Sequence, residues 1–126
     1  MKTASLQVKK GLVFVAHGSR NSISNQHIAC LANAVKANIQ EKYTYLNYGF
    51  LESAEPSISD AINQQIQIGM YEIVIFPYFL SNGNHVSQDI PAIIHVFQKK
   101  HPSIIFTILP VFGNYLGMAS LISGMI

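Results

Sequence analysis

Three residues that could bind a metal ion or move a proton each follow an apolar run in this chain. His17 comes directly after Leu12-Val13-Phe14-Val15-Ala16, and Glu52 directly after a stretch rich in Tyr45, Tyr48 and Phe50. His85 stands just past Val74-Ile75-Phe76-Pro77-Tyr78-Phe79-Leu80 and the break at Asn82-Gly83. Two imidazoles and a carboxylate are good ligands for a divalent transition metal, and three protein ligands leave positions open for a substrate. They are far apart in sequence, so no local metal motif exists, and loop capping by the histidines is the competing reading. His17-Gly18-Ser19-Arg20 also has the makings of an anion cradle. Gly18 permits close backbone approach, Ser19 offers a hydroxyl, and Arg20 near a helix N-terminus favours a carboxylate or phosphate. Asn82-Gly83-Asn84 could act in the same way or be ordinary turn chemistry. Glu55 reads as an N-terminal helix residue favoured by the helix dipole.

The elements that must position these groups follow from hydrophobic period. Gly11 to Ala16 is a continuous apolar run, as in a strand covered on both faces. A helix is predicted from about Ser22 to Lys42, with Ile23, His27, Leu31, Ala34, Val35 and Ile39 spaced at threes and fours. Strand two is Tyr43 to Leu51. A second helix opens at Pro56 or Ser57, runs through Ile58, Ala61, Ile62 and Ile66, and stops at Gly69. Strand three is Glu72 to Leu80. Asp89 can cap a third helix with Pro91 in its first turn, continuing to Lys100 and stopped by Pro102. Ser103 to Val111 is strand four, and Tyr115 to Met125 a final helix.

The resulting order, βαβαβαβα, predicts an α/β fold: a four-stranded parallel sheet with helices on both faces. Ligands of such sheets bind beyond the carboxyl ends of the strands, near the point where strand order reverses. His17, Glu52 and His85 all fall at that edge. The other histidines have less context. His27, within the first helix, and His101, at a helix end, read as structural or exposed, and His95 is ambiguous.

With 126 residues, 49% of them hydrophobic and 11% charged, residues 1–126 read as a single domain with a substantial core. A mean hydropathy of +0.26 suggests apolar surface kept for a partner or a large ligand. A net charge of only +2 argues against nucleic-acid binding by bulk electrostatics. The single cysteine, Cys30, excludes an intrachain disulfide and any CxxC site, and its place in a helical pattern predicts a buried, inert thiol. The apolar run after Lys9-Lys10 is too short for a signal peptide or a membrane span, so a soluble cytoplasmic protein is expected.

Three segments in order carry a resemblance. They are His17-Gly18-Ser19-Arg20; Phe50-Leu51-Glu52-x-Ala54-Glu55-Pro56-Ser57-Ile58; and Pro77-Tyr78-Phe79-Leu80-x-x-Gly83-x-His85-Val86-x-x-Asp89-Ile90-Pro91. Together they resemble the small class II chelatases of the CbiX type. The resemblance implies one flavodoxin-like half of a bilobal chelatase, working as a homodimer. It implies insertion of a divalent metal (Co²⁺, Ni²⁺ or Fe²⁺) into sirohydrochlorin, on the way to cobalamin or sirohaem, with the metal as substrate and no organic cofactor. His17 and His85 match the family's metal-binding, catalytic histidines, and Glu52 its active-site acid. Relatives often carry a His-Pro pair after the glycine where this chain reads Gly113-Asn114-Tyr115.

The chemistry is consistent with that implication. Metallation removes two pyrrole N–H protons while the ion exchanges water for ring nitrogens. Histidines can hold the ion in an open shell, and a histidine or Glu52 can accept a proton. Ser19, Arg20, Asn82, Gly83 and Asn84 are candidate donors to the substrate's carboxylates. Tyr78, Phe79 and Leu80 are candidates to line its apolar ring. Two other classes compete: a non-catalytic tetrapyrrole or metal carrier, and a phosphoryl-transfer enzyme with His17 as nucleophile and Arg20 as clamp.

Overall fold

The first strand, β1 (Lys10–Ala16), is apolar from Leu12 to Ala16 because it is central and covered on both faces. In the computed structural model, which describes residues 9–83 and 85–126, it pairs in parallel with β2 (Tyr45–Phe50) on one side and β3 (Glu72–Pro77) on the other. β4 (Ile105–Ile108) adds to β3, giving the parallel order β2-β1-β3-β4. Helices α1 (Ser22–Asn38), α2 (Ile58–Gln67), α3 (Ile90–Lys100) and α4 (Met118–Met125) complete the order predicted from the sequence. Leaving β1, the chain moves outward to β2; it then returns to β3 on the far side of β1. The switch point therefore lies between β1 and β3, and the residues that follow those strands flank it.

Alternation along the strands divides the core into two layers. Val13, Val15, Ile73 and Ile75 pack with Ile58, Ala61 and Ile62 of α2 and Ile90, Ile94 and Phe97 of α3. Leu12, Phe14, Leu46 and Val74 face the opposite way, against Ala32, Ile28, Leu31 and Val35 of α1. Each fully buried Phe or Ile in these layers contributes roughly 1.5–3 kcal/mol relative to exposure. α4 adds to neither layer; none of its residues is buried.

One polar side chain ties the α2 layer to the sheet. Gln65 is completely buried, and its Nε2 donates to the Leu12 carbonyl at 2.9 Å and to Asn47 Oδ1 at 2.8 Å. Asn47 in turn donates to the Ala61 carbonyl and Gln64 Oε1, both at 2.9 Å. Gly11 is required beneath it, since a Cβ there would collide with Gln65 Oε1. α2 is capped by Ser57, which accepts from Asp60 N at 3.0 Å while Asp60 reaches back to the Ser57 N–H.

Several predicted boundaries move, each for a local reason. α1 ends at Asn38 rather than Lys42, because the Ile39 carbonyl accepts from both Lys42 N and Tyr43 N and turns the chain back to the sheet. β3 ends at Pro77 rather than Leu80; Phe79 N bonds back to the Pro77 carbonyl at 3.0 Å. β4 is much shorter than Ser103 to Val111. Leu109 N still donates to the Ile75 carbonyl, but Pro110 has no N–H to continue the ladder. Asp89 does not cap α3: a π-helical turn, His85–Asp89, precedes it, so Asp89 already has helical φ and ψ and makes no capping bond. Glu55 lies before the Ser57 cap, not within α2.

Cys30 is exposed, not buried. The stripe of α1 that meets the sheet runs through Ile28, Leu31, Ala32, Val35 and Ile39, whereas Ile23, His27 and Ala34 are exposed. Cys30 is two residues from both Ile28 and Ala32, about 200° around the helix, and so points away from the core.

Candidate functional site

β1 and β2 run in register to Ala16 and Phe50, and their pairing continues one step further. Leu51 N donates to the Ala16 carbonyl at 2.9 Å and Glu52 N to the His17 carbonyl at 3.0 Å. This ladder delivers His17 and Glu52 side by side at the carboxyl edge. Gly18 makes the approach possible: its φ is +92°, and any Cβ would strike the Glu52 carbonyl.

His17 Nδ1 lies 3.1 Å from the Gly18 carbonyl. A carbonyl can only accept, so Nδ1 carries the proton, and in the neutral ring the lone pair is on Nε2. Nε2 stands 4.0 Å from Glu52 Oε2, and the two side chains are 52% and 53% exposed. Two electron-pair donors facing each other can share a proton or a cation between them. Ligand atoms on one ion, at bonds of about 2.0–2.2 Å, can be at most about 4.4 Å apart, so a single metal ion fits the gap. An Nδ1–H held by a backbone carbonyl also orients the ring in the way usual for a metal-binding histidine. As a solvent-exposed ion pair the contact would add little stability.

His85 opens the π-helical turn after β3, next to the switch point, but its side chain lies outside the described residues, as does Asn84. Among the described residues no cluster of three His, Cys, Asp or Glu side chains is positioned for a metal.

The turn at 17–20 and the helix start after it are partly closed by their own side chains. Ser19 N–H donates to Asn25 Oδ1 at 3.0 Å, Asn21 N–H to Ser19 Oγ at 3.0 Å, and Ile23 N–H to Asn21 Oδ1 at 2.9 Å. Local side chains have taken three of the backbone donors around this turn, as Asn and Ser do at helix starts. The Ser19 hydroxyl proton and the exposed Arg20 side chain are side-chain donors this turn still offers a ligand.

Beside His17 a cleft of about 520 Å³ opens between β1 and the start of α1. Its walls include Ser19, Ile23, His27, Ile28 and Tyr78. Tyr78 belongs to an aromatic group, with Phe14 at 5.2 Å and Phe112 stacked on it at 5.6 Å between ring centroids. Phe79 points the other way and packs against the α2–α3 layer, because successive residues take opposite faces. Leu80 is exposed, and Asn82 lines a separate pocket of about 310 Å³ near Val86 and Pro91. Gly83 is exposed with open space around it. His27 and Ile23 on the cleft wall were not singled out from the sequence. The signal was Asn21: as N-cap, accepting from Ile23 N, it sets the helix phase and brings the first two turns alongside His17.

A parallel α/β sheet of this order, with an imidazole and a carboxylate paired at its carboxyl edge beyond β1 and β2, belongs to the class of small sheet proteins that bind a ligand beyond their strand ends. The sequence profile of one such family, CbiX, matches residues 11–125, and the chain belongs to that family. It is 33% identical over 92 residues to the sirohydrochlorin cobaltochelatase of Methanocaldococcus jannaschii, covering 73% of this chain and 63% of that protein. It is 31% identical over 105 residues to the chloroplastic sirohydrochlorin ferrochelatase of Arabidopsis thaliana, covering 83% of this chain and 46% of that protein. The structure of the sirohydrochlorin chelatase SirB from Bacillus subtilis subspecies spizizenii, in complex with cobalt, superposes with a TM-score of 0.77 at 27% identity, covering 82% of this chain and 44% of that one. The chain thus spans under two thirds of the length of these relatives. Among the described residues, no helix is long and apolar enough to cross a membrane.

Proposed function

We propose that this chain inserts a divalent metal ion into sirohydrochlorin. The observation that carries the reading is the His17–Glu52 pair, with Nε2 and Oε2 4.0 Å apart and His17 lining the cleft. The names of its relatives supply the substrate, and they name both cobalt and iron chelatases.

In this reading His17 Nε2 and one Glu52 oxygen take up the incoming ion, joined by His85 from the turn after β3. Ligands as exposed as His17 and Glu52 hold an ion that must leave again. The reaction balances as one M²⁺ entering and two pyrrole protons leaving, with no change in oxidation state. Once the ion has moved to the ring nitrogens, Glu52 and the freed imidazole are the nearest acceptors for those protons. Tyr78, with Ile28, offers the macrocycle an apolar surface, and Ser19, Arg20 and Asn82 donors for its carboxylates. Phe79, Leu80, Gly83 and Asn84 complete the proposed substrate contacts, Phe79 through its backbone.

The same reading takes residues 1–126 as one domain that pairs with a second copy, in the cytoplasm. The wide exposure of His17 and Glu52 and the open cleft support pairing, since one copy leaves a large ring half covered. The test is an anaerobic absorbance time course of sirohydrochlorin with Co²⁺, Ni²⁺ or Fe²⁺, for the wild type, His17→Ala and His85→Ala. Multiple turnovers above the protein-free rate, lost in both variants, are expected. Tight tetrapyrrole binding with no rate above background would leave a carrier instead.

A further inference from the structure

The first two turns of α1 carry a feature that the His17–Glu52 pair does not use. Ile23 is 73% exposed, although it is a large apolar residue at the start of a helix. His27 follows it four residues later, on the same face, and is also exposed. Both line the cleft of about 520 Å³ that His17 also lines. The sheet-facing stripe of α1 runs through Ile28, Leu31, Ala32 and Val35, so neither Ile23 nor His27 is needed to hold the helix to the sheet. An apolar side chain and an imidazole, adjacent on a cleft wall and committed to no packing, suit a ligand with an apolar face and an acidic rim.

We infer that Ile23 and His27 form a substrate-recognition wall: Ile23 lies against the face of the tetrapyrrole, and His27 donates an imidazole N–H to one of its peripheral carboxylates. The inference rests on the chelatase reading and adds to it a specificity-determining residue on α1. His27 stands on a different element from the His17–Glu52 pair. It follows His17 by ten residues and approaches the cleft from the helix, whereas His17 and Glu52 meet at the sheet edge. Its effect belongs to binding of the ring and not to the metallation step.

The experiment measures sirohydrochlorin affinity by absorbance titration without metal, and kcat and KM for Co²⁺ insertion, in the full chain and in His27→Ala, His27→Gln and Ile23→Ser. An exposed charge-assisted hydrogen bond predicts that His27→Ala raises both Kd and KM about three- to tenfold, with kcat within about twofold. His27→Gln, whose amide still donates, recovers part of the loss, and Ile23→Ser weakens binding in the same sense. Unchanged Kd and KM in His27→Ala would overturn the inference, as would a fall in kcat at unchanged Kd, which would place His27 in the chemistry. A wild-type protein that binds sirohydrochlorin without metallating it sinks the chelatase reading alone, and the Kd series still decides the role of His27. A wild type that binds no tetrapyrrole overturns both.

Discussion

His17 Nε2 and Glu52 Oε2 face each other across 4.0 Å, and the Nδ1–H of His17 is turned to the Gly18 carbonyl. Removing either member should separate metal handling from ring binding. His17→Ala is expected to abolish Co²⁺ insertion while sirohydrochlorin still binds. Glu52→Gln keeps the shape but loses the charge and the proton acceptor, and should slow turnover about 10²-fold or more. Steady-state rates beside metal-free tetrapyrrole titrations check both; equal loss of ring binding would count against the assignment.

Gly18 holds this geometry through a backbone that only glycine adopts cheaply. Gly18→Ala places a Cβ at φ +92° against the Glu52 carbonyl. The expected cost is about 1–3 kcal/mol of stability. Turnover should fall further than that loss implies, by about tenfold or more, because the shifted segment carries Glu52 away from His17. Urea unfolding and rates measured on the folded variant distinguish the two effects.

Gln65 should be among the most sensitive positions outside the site. Gln65→Ala removes its bonds to Leu12 and Asn47 and leaves a cavity, for a predicted loss of about 2–4 kcal/mol. Gln65→Met keeps most of the volume and removes an Oε1 that has no hydrogen-bond partner in the described structure, so it should cost less than half as much. Urea midpoints at unchanged slope are the readout.

The α2 cap offers a local test with no bearing on the site. Ser57→Ala breaks the capping box with Asp60 and should cost about 1 kcal/mol, measured as a midpoint shift. Metal-free sirohydrochlorin affinity should be unchanged.

Cys30 on the outer face of α1 should react with a disulfide reagent in the native protein at nearly the rate of the urea-unfolded chain. A thiol protected until unfolding would mean that α1 is rotated from the phase described.

The sequence by itself determined the order of elements, the parallel sheet and the edge on which His17 and Glu52 stand. Those features follow from local signals: continuous apolar runs for doubly covered strands, three-and-four spacing for helices, and polar residues just past strand ends. What it misjudged in part was phase. The three-and-four spacing puts Ile23, His27, Leu31, Ala34, Val35 and Ile39 on one stripe; Leu31, Val35 and Ile39 do pack toward the sheet, joined by Ile28 and Ala32, whereas Ile23, His27 and Ala34 are exposed. Two overlapping stripes of similar hydropathy fit one helix, and only the Asn21 cap and the docking on β1 and β2 choose between them. The same choice exposes Cys30 and turns Ile23 and His27 toward the cleft. Nor could spacing reveal that Ser19, Asn21 and Asn25 satisfy one another's backbone groups, since that depends on how the loop closes. Tertiary structure alone set the 4.0 Å between His17 and Glu52, because a parallel ladder joins two segments 35 residues apart and Gly18 lets them meet.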